Sequence, residues 1–275
     1  MSGGAPNAPA PEPGALPGRG AHRGAVGVGA GRDRLAGGEA PWPTLRLRAV
    51  WLAAGGLAGG FVAASTAATV CVALGAGPYS PVTVVVDLAA LWAFLVGAAV
   101  LGSRRYGTGD LAHDYWAGFR PADAARGVGA SLVGRAVVTL VTVVIVGLAQ
   151  RKTVGNTQIL THQRGHVVDL IVVGAGAVIG APIVEELFFR GLLLRSLASR
   201  LRYGWAVAIQ GVVFGLVHAQ FNQDNLTAMA VAAGTASFGM VQGYFAARWR
   251  LGALMVSHAL FNLLPVLLVA FGVVT

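Results

Sequence analysis

The stretch VVDLIVVGAGAVIGAPIVEELFFR, residues 167–190, decides how the chain is read. From Val167 to Val184 it holds one ionisable residue, Asp169, near its start. A run of this length and character is the signature of a helix that crosses a bilayer. Two adjacent carboxylates, Glu185 and Glu186, stand at its end, and Arg190 follows one turn later. Carboxylates in such a place are costly in lipid or in a protein interior. A chain that keeps two of them there is expected to use at least one for chemistry or transport.

The composition extends that reading to the whole chain. Of its 275 residues, 55% are hydrophobic and 11% charged, against about 25% charged in an ordinary soluble domain. The expected fold class is all-α: a polytopic membrane helical bundle with the lipid bilayer as its first partner. The formal net charge of +9 could suggest nucleic acid. The basic residues, however, recur in the gaps between apolar runs, which fits membrane topology and argues against a nucleic-acid partner. Cys71 is the single cysteine, which excludes an internal disulfide and a thiolate metal cluster. Lys152 is the single lysine, a bias toward arginine that reads as genome composition.

Residues 1–45 are rich in Gly, Ala and Pro without apolar periodicity, and are expected to form a disordered cytoplasmic tail. Residues 46–275 then form the transmembrane domain. Hydropathy predicts about seven transmembrane helices, at 49–77, 81–102, 128–149, 167–189, 204–220, 226–247 and 252–272. With the N-terminus inside, sixteen basic residues fall on the inner side. Only Arg151, Lys152 and Arg164 fall outside. This asymmetry predicts a cytoplasmic N-terminus and an external C-terminus, in the plasma membrane. Asp87 and Arg135 lie within spans near opposite helix faces, and are read as snorkelling or structural polar contacts.

Polar clusters mark the later spans. Glu186 and Arg190 are four apart and share a helix face, so they can pair; Glu185 is rotated by about 100° and points elsewhere. Phe214 and His218 share a face in the next span, and His258 and Asn262 share one in the last. The segment Gln220 to Asn225 reads as a polar outer loop. Treating 167–200 and 204–220 as a helical hairpin places Glu185 level with His218. A third helix bearing His258 and Asn262 would complete a set of one carboxylate, two imidazoles and one amide. Such a set can activate water and stabilise an oxyanion.

These motifs, in this order, resemble those of the CAAX-protease and bacteriocin-processing family of intramembrane endopeptidases. The family is also described as type II CAAX prenyl endopeptidase-like or abortive-infection-like. The resemblance covers about 167–265 and rests on the paired glutamates with their arginine, the Phe–His pair and the His–Asn pair. It implies that Glu185 is the general base that activates the attacking water, with His218 helping to hold it. His258 and Asn262 would stabilise the oxyanion, while Glu186, Arg190 and Phe214 support the site. The implied substrate is a membrane-associated peptide or protein. Glu185, His218 and His258 could also ligate zinc, so the residues leave open a zinc enzyme and a metal-free one.

Two other readings stand beside this one. A non-catalytic membrane protein could use the same polar cavity to sequester a partner, and a small transporter could use Glu and His as a proton relay. No internal inverted repeat supports the transporter. One geometric conflict is also visible. His258 lies about 9 Å beyond the inner boundary set by Arg250, whereas His218 precedes the loop assigned to the outer side. Straight, full-length spans do not bring the two together.

Overall fold

A computed structural model describes residues 45–150, 158–219 and 225–273. The expected N-terminal tail, the Arg151–Lys152 pair and nearly all of the 220–225 loop lie outside the described residues. Seven long helices order the rest. They are α1 (Ala49–Ala73), α2 (Pro81–Tyr106), α4 (Pro121–Ala149), α6 (Val167–Leu197), α7 (Tyr203–Ala219), α8 (Asn225–Ala246) and α9 (Leu251–Ala270). Two single turns, α3 (Leu111–Asp114) and α5 (Gln158–Thr161), sit in the connections. The described residues contain no strand.

The helix ends follow from local chemistry. α2 starts at Pro81, whose missing N–H costs nothing in a first turn, and the preceding Ser80 Oγ accepts the Thr83 N–H at 3.3 Å. It ends before Gly107 with Arg104 and Arg105 in its last turn, where cations favour the dipole. α4 starts at Pro121, with Asp123 accepting the Arg120 N–H at 2.8 Å.

Five of the seven helices, α1, α2, α4, α6 and α9, are long and apolar enough to cross a membrane. The other two expected spans differ for physical reasons. α7 is apolar but only 17 residues long. α8 has the length but carries Thr227, Thr235, Ser237 and Gln242. These two helices pack on each other, with small residues at the seam. A Cβ on Gly215 would meet the Ala232 carbonyl oxygen at 2.2 Å, and one on Gly211 would meet Met240 Cγ at 2.6 Å. Only glycine permits this approach.

α1 pairs with α2, α4 lies against α8 and α9, and α6 runs through the middle. The core is built around Phe188, Phe189, Leu192, Phe214, Phe238 and Leu254. Arg190 and Arg195 are also buried in it, 0% and 2% exposed. They therefore do not belong among the loop charges that set topology. Removing these two from the sixteen leaves fourteen against three, so the asymmetry survives.

Candidate active site

α6 departs from α geometry where the site forms. It is α-helical over Val167–Ala175, π-helical over Gly176–Gly180, α-helical over Ala181–Glu185, and π-helical again over Glu186–Leu193. In a π turn each N–H bonds five residues back, and the Ala181 N–H does so to Gly176. The next carbonyl in that register, Ala177, would need an N–H from residue 182. That residue is Pro182, which has none. Asn262 on α9 supplies the donor: its Nδ2 gives a hydrogen bond to the Ala177 oxygen at 2.8 Å.

The second π segment begins between the two glutamates, and both turn inward. They approach one imidazole from its two nitrogens. Glu186 Oε1 accepts from Arg190 Nη1 at 2.9 Å and lies 2.9 Å from His258 Nδ1. Glu185 Oε2 lies 3.8 Å from His258 Nε2 and 3.8 Å from His218 Nε2. The Glu186–Arg190 pairing matches the helix-face reading. Glu185, rotated away from that pair, faces the Nε2 side of both imidazoles.

Glu186 and Arg190 are fully buried and His258 nearly so, at 3% exposed. Such charges are tolerated inside only when paired, and here the carboxylate serves a guanidinium and an imidazole together. The Phe214 ring lies 4.5 Å from the Arg190 guanidinium carbon. Arg190 Nη2 also reaches the Gly239 carbonyl at 3.5 Å, which Gln210 Nε2 approaches at 2.7 Å. Glu185 has no guanidinium beside it in this way. Its Oε2, like that of Glu186, is buried and has no hydrogen-bond partner among the described residues.

His218 is fixed by its own helix. Its Nδ1 lies 2.7 Å from the Phe214 carbonyl. A carbonyl only accepts, so Nδ1 carries the proton and Nε2 faces Glu185. The ring of His218 drops one turn toward Phe214, and the rings of Phe214 and Phe238 lie 5.8 and 5.4 Å from that of His258. Both imidazoles reach the same oxygen, Glu185 Oε2, at 3.8 Å each.

A cavity of about 380 Å³ opens beside this cluster. Its polar wall is His218, His258, Asn262, Thr142, Thr235 and Arg135. Glu185 is not among the residues that line it; its Oε2 lies 3.8 Å from the Nε2 atoms of two that do, His218 and His258. Arg135 was read from sequence as a structural polar residue, and it does make one such contact: Nη2 donates to the Phe261 carbonyl at 2.6 Å. Its place on the cavity wall was not legible from spacing. Nor were the contributions of Ala177, Gln210 and Gly239, which are a helix away from the motifs they serve.

The zinc question meets the geometry here. Among the described residues no group of three or more His, Cys, Asp or Glu side chains is arranged to hold a metal ion. His258 Nδ1 is engaged by Glu186 and His218 Nδ1 by Phe214, which turns the Nε2 of each, the atom that would ligate a metal, toward Glu185 Oε2 at 3.8 Å. As they stand, Glu185, His218 and His258 are not gathered into a ligand set, and no step below passes through a metal.

Fold and site together define a multi-pass membrane protein with a buried carboxylate–imidazole–amide cluster at the centre of its bundle. Residues 167–264 match the family model described as type II CAAX prenyl endopeptidase, Rce1-like. The match runs from the start of α6 to just beyond Asn262, and leaves α1 to α5 outside it. No curated protein and no solved structure matches the chain.

Proposed function

We propose that this protein is an intramembrane endopeptidase that hydrolyses a peptide bond of a membrane-associated protein or peptide. The observation that carries the reading is the convergence of Glu185 Oε2 on the Nε2 atoms of His218 and His258, at 3.8 Å each. That span is too long for a direct hydrogen bond. One water can bridge it with two ordinary hydrogen bonds.

The chemistry follows from the donors. Water between Glu185 and His218 gives one hydrogen to the carboxylate and one to the bare Nε2 of His218. Its lone pair points at the scissile carbonyl carbon. As the O–C bond forms, Glu185 takes a proton and the carbonyl π electrons move onto oxygen. His258 in its doubly protonated form gives Nδ1–H to Glu186 and Nε2–H toward that oxyanion. The second N–H of Asn262, the one not used on Ala177, is the other donor. Collapse of the intermediate breaks the C–N bond, and Glu185 returns its proton to the leaving amine. Glu186, Arg190 and Phe214 keep His258 and His218 in place.

Residues 46–275 form the membrane domain in this reading. The positive-inside asymmetry supports a plasma-membrane protein with its N-terminus in the cytoplasm and its C-terminus outside.

The test is a comparison of protein termini in cells that make the wild type or Glu185→Ala. New termini should appear with the wild type and vanish with the variant, while both proteins insert in equal amount. Identical termini in the two cell lines would sink the proposal. His218→Ala should behave as Glu185→Ala does.

A further inference from the structure

Prolines interrupt two of the site helices, and each leaves a carbonyl that another helix must satisfy. In α6, Pro182 frees the Ala177 carbonyl, and Asn262 meets it. In α9, Pro265 lies inside the helix. A helical N–H at that position would bond the carbonyl four residues back, which is Phe261. Proline has no such hydrogen, and Arg135 donates to the Phe261 oxygen instead, at 2.6 Å. The same guanidinium lies 4.6 Å from the centre of the Phe261 ring. Phe261 is the neighbour of Asn262 and sits three residues after His258. Both proposed oxyanion donors thus lie within three residues of the α9 carbonyl that Pro265 leaves without its helical partner.

We propose that Arg135 is a positioning residue for the reaction. It replaces the hydrogen bond that Pro265 removes, and so fixes the α9 turn that aims His258 and Asn262. The inference rests on the hydrolytic reading above, but its physical core does not. α9 is pinned at adjacent residues from two sides: by α4 through Arg135 to Phe261, and by α6 through Asn262 to Ala177. A ridge so held keeps its donors in place without reorganisation as charge develops, which is what an oxyanion site requires. Arg135 lies outside residues 167–264, the part that carries the family match. The family motifs alone do not assign it a role.

A proline-rescue cycle tests this. Four purified proteins are compared: wild type, Arg135→Met, Pro265→Ala, and the double variant. Pro265→Ala restores an N–H for the Phe261 carbonyl, so Arg135 should become dispensable in that background. Cleavage is read on a peptide spanning a terminus found only in wild-type cells. In the wild-type background Arg135→Met should lower kcat roughly 10- to 100-fold with little change in KM. In the Pro265→Ala background the same change should cost less than about twofold. Arg135→Lys, which keeps one donor, should recover part of the loss.

Backbone hydrogen exchange over residues 257–266 provides an arm independent of activity. Protection there should fall in Arg135→Met and return in the double variant. The proposal is overturned if Arg135→Met costs the same in both backgrounds, or raises KM alone. Arg135 would then act on the substrate, for instance on a carboxylate. Unchanged exchange in Arg135→Met overturns it as well. If wild type and Glu185→Ala cells show identical termini, the hydrolytic reading fails. The exchange arm still decides whether Arg135 holds the turn.

Discussion

Two carboxylates, Asp114 and Glu185, are treated in opposite ways. Asp114 sits in the corner between α2 and α4, 3% exposed. It accepts from Ser103 Oγ at 2.6 Å, from Thr108 Oγ1 at 2.8 Å, and from the backbone N–H of Thr108 and Gly109. Glu185, at the centre of the bundle, has two imidazole nitrogens at 3.8 Å and a buried oxygen with no hydrogen-bond partner among the described residues. A carboxylate ringed by donors is a structural joint. One that faces imidazoles at the distance of a bridging water is poised for proton transfer. Glu186, next to Glu185 in sequence, stands between the two: Arg190 and His258 match its Oε1, while its Oε2 is without a hydrogen-bond partner among the described residues.

The sharpest way to break the comparison is Glu185→Gln. Loss of a general base is expected to lower cleavage by roughly 10²- to 10⁴-fold. The melting temperature in detergent should stay the same or rise, since the substitution removes a partly buried charge whose inner oxygen, Oε2, no close donor satisfies. A fall in stability as large as that of a structural carboxylate would mean that Glu185 is a joint too.

Arg190→Met should do the reverse. It leaves Glu186 buried with one partner fewer, and breaking such a pair costs about 3–5 kcal/mol. Thermal unfolding should show a large drop, and the double variant Glu186→Gln, Arg190→Met should recover part of it. If the double variant is no more stable than Arg190→Met, the guanidinium acts by packing on Phe214 and not through its charge.

The helices of this bundle were largely legible in the sequence. Spans expected at 81–102 and 204–220 appear as Pro81–Tyr106 and Tyr203–Ala219, because apolar runs and flanking Pro, Gly and Arg mark them. α4 starts earlier than expected, at Pro121, because the Pro–Ala–Asp start extends the helix beyond its apolar stretch. The pairings within one helix face, Glu186 with Arg190 and Phe214 with His218, were legible too, since a spacing of four survives small changes of helix geometry. The contact between Glu186 and His258, 72 residues apart, was not. It depends on a π turn that begins between two identical residues, and hydropathy has no signal for that. The Asp114 corner was equally hidden. Ser103, Thr108 and Gly109 read as an ordinary polar connection until the chain folds them around one carboxylate.

The smallest expected effect lies in that corner, and pH gives it a sign. Burial opposes the charge on Asp114, but the hydrogen bonds from Ser103 and Thr108 outweigh it and hold the carboxyl below its ordinary range. A carboxyl depressed in the folded state contributes stability that is fully present above its unfolded value of about 3.9. That contribution is lost as pH falls through the folded value. Asp114→Asn should therefore cost about 1–3 kcal/mol at neutral pH, the scale for breaking hydrogen bonds to a buried charged group. The gap between wild type and variant should begin to narrow once pH drops below about 4, because the unfolded wild-type chain then takes up a proton that the folded carboxylate still resists. Thermal unfolding of both proteins at neutral pH and near pH 3.5 measures it. A gap that does not change with pH would show that the corner depends on the shape of the side chain alone. Gly107 gives a reason to check, since a Cβ there would lie 2.3 Å from Asp114 Oδ2. The chain passes that close to the carboxylate only because residue 107 has no side chain. If charge is what the corner needs, the variant should regain its relative stability in acid with that close approach unchanged.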